Sequence, residues 1–116
     1  MTTALHLPAR PDAPIACDMT GAVDTPEERL GMYRRLFDTA LQHRERRAGG
    51  VAFRFRAEPG TLDAVEELAR RESACCPFLA HRVETGEDVV AWTISHARDG
   101  ADGASIDGFL DELYRL

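Results

Sequence analysis

The chain has 116 residues, 44% of them hydrophobic, and a formal net charge of −6, a size that suits one domain with one modest core and leaves too little for two. Apart from Arg44-Glu45-Arg46-Arg47 the positive charges are scattered, so nucleic acid is not expected as a partner, and runs such as Val89-Val90-Ala91-Trp92 fall far short of the roughly 18 to 20 apolar residues that span a bilayer. All 14 basic residues are arginine, which removes a lysine Schiff base, pyridoxal phosphate attachment and a Walker-type phosphate lysine.

Residues 1–14 carry Pro8, Pro11 and Pro14 among polar residues and alanines and read as a flexible arm; residues 15–116 read as one domain. The opening heptapeptide lacks the basic leader and apolar run of a secretory signal, so a cytoplasmic location is the default, where a stable disulfide is not expected. Ile15-Ala16-Cys17-Asp18-Met19 is a candidate strand that would turn Cys17 toward the core.

Thr25-Pro26-Glu27-Glu28 is a helix start, with a capping threonine, proline at the first helical position and Glu28 placed to complete a capping box. Leu30, Tyr33, Leu36, Phe37, Ala40 and Leu41 recur at helical spacing, which predicts a helix that runs on through the arginines to Gly49-Gly50. Val51 to Arg56 alternates apolar with small or cationic residues, as a half-buried strand does. After the Glu58-Pro59-Gly60 turn, a second helix begins near Thr61 with Leu62, Val65, Leu68 and Ala69 as its stripe. That stripe, continued, leads to Glu72, Cys75 and Cys76, so an acid falls where a buried residue is due. Pro77 ends the helix.

Phe78 to Glu84 and a strand bearing Val90, Trp92 and Ile94 flank a Thr85-Gly86-Glu87-Asp88 turn. Arg98 to Ala104 reads as loop, and Ser105 as the cap of a last short helix with Ile106, Phe109, Leu110, Leu113 and Leu116 on its apolar side. The order β-α-β-α-β-β-α predicts an α+β two-layer sandwich, a mixed sheet of about four strands with three helices on one face. The other face would be solvated or would meet a second subunit in a homodimer. The second strand, second helix and third strand would make a right-handed crossover if those strands are neighbours.

Glu72-Ser73-Ala74-Cys75-Cys76-Pro77-Phe78 is the one local arrangement dense in reactive side chains, and it holds two of the chain's 3 cysteines. Both thiols fall at a helix C-terminus, where the dipole opposes a thiolate, and their adjacent spacing disfavours a thioredoxin-like pair. A cation reverses the electrostatic objection. With Cys17 alongside Cys75 and Cys76 the donors suit zinc, cuprous copper, mercuric ion or trivalent arsenic, and Glu72 or His81 is a possible further ligand. The competing readings are inert buried thiols in a structural or dimerisation domain, and a thiol-dependent enzyme acting on an electrophile or organometal, with Glu72 moving the proton. Ser95-His96 with Asp99 lacks the setting of a hydrolytic triad, and the Gly100 to Gly103 run lacks that of a nucleotide loop.

At Ile15-Ala16-Cys17 with Glu72-x-x-Cys75-Cys76-Pro77-Phe78, over about residues 14–116, the chain resembles a small, largely uncharacterised bacterial family that pairs an early cysteine with a Cys-Cys-Pro-Phe helix end. Some members accompany heavy-metal resistance, so the resemblance implies a thiophilic metal or metalloid, or another small thiol-reactive molecule, as partner. It carries only Cys17, Cys75 and Cys76 over as ligands; relatives have an aromatic or other apolar residue where His81 stands.

Overall fold

The computed structural model describes residues 1–116. It is an α+β fold in the order β1 (Thr2–Leu7), α1 (Pro26–Ala40), β2 (Leu41–Arg47), β3 (Gly50–Arg56), α2 (Thr61–Cys75), β4 (Ala80–Gly86), β5 (Val89–Ser95) and α3 (Gly100–Tyr114). The five strands form one sheet, ordered β1-β4-β5-β3-β2, and every neighbouring pair is antiparallel. The sheet is thus antiparallel rather than mixed. Because β3 and β4 both pair with β5, they run parallel to each other with β5 between them, and the α2 connection crosses one strand instead of joining neighbours.

Pairing of Val51 with Ile94, Phe53 with Trp92 and Phe55 with Val90 lines one face of the sheet with buried side chains, which His81 and Val83 extend on β4. Trp92 lies beside Tyr33 of α1 at a centroid distance of 6.0 Å, and Phe37 packs on Phe53 at 5.1 Å. Val65, Leu68 and Ala69 of α2 and Ile106 and Leu110 of α3 belong to the same core. On the opposite face Arg54 and Arg82 are exposed. Burial of this single apolar face is the main force holding the layers together.

Two extra strands come from segments read otherwise. Thr2–Leu7, inside the expected arm, pairs with β4 and half-buries Leu5 and Leu7. An edge position tolerates the polar residues between them. Leu41–Arg47, expected to continue the first helix, is the opposite edge strand. The apolar stripe of α1 ends at Leu41 and nothing after it rewards further helical turns. Arg44 and Arg46 instead stand opposite Phe53 and Val51, and Arg46 reaches α3 through Asp107 at 3.4 Å and Asp111 at 2.8 Å. Gly49, at φ 67°, closes the hairpin.

The start of α1 is as read from the sequence: Thr25 Oγ1 accepts from Glu28 N, and Glu28 Oε1 accepts from Thr25 N. α3, however, begins at Gly100, ahead of the expected Ser105. Its glycines suggested a loop, yet Gly103 serves close packing, since a Cβ there would lie 2.4 Å from Arg98 O.

Candidate functional site

Helical spacing places Glu72 and Cys75 on the buried stripe of α2 with Val65, Leu68 and Ala69, as the sequence pattern requires. Cys76 is the C-cap residue; its N–H donates to Glu72 O at 2.7 Å, and Pro77 prevents another turn. Cys75 and Cys76 are 6% and 1% exposed.

Ile15–Met19 is not a strand; it belongs to an irregular segment between β1 and α1, and Cys17 there is exposed rather than turned into the core. β1 has taken the sheet edge, and Pro14 has no N–H to offer a ladder. The segment is nonetheless fastened to the end of α2. Asp18 N donates to Cys75 O at 3.0 Å, Arg10 N donates to Pro77 O at 2.8 Å, and Arg98 Nη2 donates to Arg10 O and Ala13 O at 3.1 and 2.8 Å. These contacts bring Cys17 to Cys76, 59 residues away in sequence, with a Cα–Cα distance of 4.6 Å and a disulfide between them. The bond runs against the expectation that no stable disulfide would form. Only Cys75 is free.

Cys75 is held by a residue the sequence analysis passed over. Arg29 of α1 is 5% exposed and donates from Nη1 to Glu72 Oε1 at 2.7 Å, from Nη2 to Asp24 Oδ1 at 2.6 Å, from Nε to Asp24 Oδ2 at 2.7 Å, and weakly from Nη2 to Cys75 Sγ at 3.7 Å. Arg71 adds a bond to Asp24 Oδ2 at 3.0 Å and another to Glu67 at 2.7 Å. Hydrogen bonds from Arg29, then Arg71, hold the Asp24 carboxyl at about 2, and Asp24 in turn raises the Arg29 guanidinium further above its ordinary value. Tyr33, one turn along α1 from Arg29, is buried near Glu72; burial first, and that carboxylate second, push its phenol well up. The signal for Arg29 was present: it precedes Tyr33 and Leu36 at four and seven residues, so it is the charged member of the α1 stripe as Glu72 is of the α2 stripe.

Two adjoining clefts open over Cys75. One, of about 450 Å³, is walled by small residues including Pro14, Ala16, Gly21, Ala74 and Pro77. The other, of about 300 Å³, shares Gly21, Ala22, Ala74 and Cys75 and is bounded by Arg29, Arg70 and Arg71.

His81 takes no part. Its Nδ1 accepts from Trp92 Nε1 at 3.2 Å, its Nε2 is buried without a partner in the protein, and burial lowers its pKa to about 4. His96 is likewise structural, with Nε2 at 2.8 Å from Asp107 Oδ1 and Nδ1 accepting from Arg98 N. His43 lies exposed on β2, and His6 lies on β1. No helix is long and apolar enough to cross a membrane. No protein-family model, curated protein or solved structure matches this chain.

Proposed function

We propose that the reduced chain binds a thiophilic metal or metalloid ion through Cys17, Cys75 and Cys76. The observation that carries this reading is the fastening of the Cys17 segment onto the end of α2, which brings Cys17 to Cys76, the sequence neighbour of Cys75, and Cys75 lines an open cleft. No group of three or more His, Cys, Asp or Glu side chains is placed to hold a metal, and two of the three thiols are joined, so the proposal concerns the reduced chain. The ion is cargo. The resemblance to a family of which some members accompany heavy-metal resistance points the same way.

Charge narrows the choice of ion. Arg29 and Arg71 are already matched by Asp24, Glu72 and Glu67, leaving no buried cation to offset a thiolate complex that carries net negative charge. A trivalent arsenic centre with three thiolates and a mercuric centre with two are uncharged, whereas zinc with three thiolates is an anion. Arsenite and mercuric ion are therefore favoured over zinc and cuprous copper. Glu72, engaged by Arg29, acts as proton acceptor during uptake rather than as a ligand.

The test is a count of titratable thiols in fully reduced protein as sodium arsenite, mercuric chloride or zinc chloride is added. Three thiols protected by one equivalent of arsenite, with zinc displaced readily, agrees with the proposal. Three equally reactive thiols throughout would reject it.

A thiol-dependent enzyme acting on an electrophile or organometal is the second reading, favoured by the guanidinium at 3.7 Å from Cys75 Sγ. Turnover of an organomercurial, lost in Glu72→Gln while mercuric ion still binds, selects it.

A further inference from the structure

The Cys17–Cys76 pair points to a second activity at the same junction. We propose that it is an exchange-competent disulfide, opened by low-molecular-weight thiols through Cys17, and that its redox state decides whether the junction can take up an ion. The second half of the statement rests on the function proposed above; the first does not.

The two sulfurs occupy opposite environments. Cys17 is on an exposed segment, whereas Cys76 is 1% exposed at the end of α2. An incoming thiolate reaches Cys17 first. It attacks the Cys17 sulfur, the Cys17–Cys76 bond breaks, and Cys76 leaves with the electron pair and takes the proton of a second thiol. That second thiolate attacks the mixed disulfide on Cys17, forming the small-molecule disulfide and releasing Cys17. Two small thiols are oxidised and one protein disulfide becomes two thiols.

Cys75 stays outside the exchange although it adjoins Cys76 in sequence. A disulfide between adjacent residues closes a small strained ring, and Cys75 instead meets Arg29. The Cys17 segment does not depend on the covalent bond for its position. The bonds from Asp18 N to Cys75 O, from Arg10 N to Pro77 O, and from Arg98 to Arg10 O and Ala13 O all lie outside it. Reduction thus frees two thiols beside a third while the backbone holds them together, and oxidation removes two of the three donors without moving the chain. Such a pair switches binding by bond formation rather than by folding.

The experiment equilibrates the intact protein in glutathione buffers of graded redox ratio, quenches with acid, alkylates under denaturing conditions and maps the labels by mass spectrometry. The expected result is a reversible two-electron transition between one and three alkylated cysteines, with glutathione trapped as a mixed disulfide on Cys17. Amide exchange at Arg10 and Asp18 should stay slow on both sides of the transition. Arsenite added to each form should protect thiols only in the reduced one. Three free thiols at every ratio, or glutathione trapped mainly on Cys75 or Cys76, overturns the exchange. Equal arsenite uptake by both forms overturns the gate while leaving the ion-binding reading intact. A clean transition with no uptake of arsenite or mercuric ion in the reduced form refutes that reading, and the gate with it, but leaves the exchange standing.

Discussion

Arg29 Nη1 and Glu72 Oε1 meet at 2.7 Å across the α1–α2 interface, with side chains only 6% and 9% exposed. Removing one partner of such a pair leaves the other charge buried and uncompensated. Arg29→Ala, which also leaves Asp24 with Arg71 alone, should lower stability by about 3–5 kcal/mol in urea unfolding. The double substitution Arg29→Met with Glu72→Met should cost less than the single one, because no Glu72 carboxylate is then left buried without its partner. A loss below about 1 kcal/mol for Arg29→Ala would contradict a buried ion pair.

Acid should weaken the fold in two separate windows. His81 is neutral in the folded chain with its pKa lowered to about 4 from 6.5, so the unfolded chain binds the extra proton and stability falls as pH drops from 6.5 toward 4. That loss amounts to at most about 3 kcal/mol, and His81→Phe should abolish it. Asp24 is held at about 2 against an ordinary 3.8, so its contribution is complete above pH 4 and is lost as pH falls from there toward 2. Unfolding midpoints measured at intervals from pH 7 to 2 resolve the two steps, and Asp24→Asn should shrink only the lower one, to which Asp107, held down by its bond to His96, also contributes.

The glycines of α3 separate packing from propensity. A Cβ at Gly103 would lie 2.4 Å from Arg98 O, whereas one at Gly108 meets nothing within 4 Å. Gly103→Ala should destabilise by roughly 1–3 kcal/mol through forced backbone movement. Gly108→Ala should stabilise by up to about 1 kcal/mol through helix propensity alone. Thermal melts of the two variants check the opposite signs.

The elements whose apolar period was unbroken were legible from sequence: the cap and body of α1, the β3 and β5 faces with Phe53 and Trp92, and the α2 stripe down to Cys75. β1 and β2 were not. Both are edge strands whose residues need bury little, so Thr2–Leu7 and Leu41–Arg47 carry no strong period-two signal, and their pairing is decided by the strands beside them. At the junction, Glu72 betrayed itself as an acid on an apolar stripe, and Arg29 offered the same sign. Cys17 was placed near the right partner for the wrong reason. A loop fastened by main-chain bonds to Cys75 and Pro77, rather than a strand, brings it there, and such bonds leave no trace in side-chain pattern.

Arg98 ties that loop down with bonds of 3.1 and 2.8 Å to Arg10 O and Ala13 O. In the reduced protein Arg98→Ala should speed amide exchange over residues 8–18 and weaken arsenite protection of Cys17 by roughly tenfold, the equivalent of about 1.4 kcal/mol. The far-UV spectrum and the environment of Trp92 should not change. Unchanged exchange at Asp18 would show that the segment is held by other means.

The middle of the sheet is built from a late part of the chain. β5, at Val89–Ser95, is the only strand that touches both β3 and β4, so a nascent chain that ends before it holds two strand pairs, β2–β3 and β1–β4, that no strand joins. Long-range pairing of this kind raises contact order and delays assembly. On a ribosome the Phe53 and Phe55 face of β3 can pack on Phe37 of α1 as soon as it emerges, but the ladder that sets Trp92 beside Phe53 waits for β5.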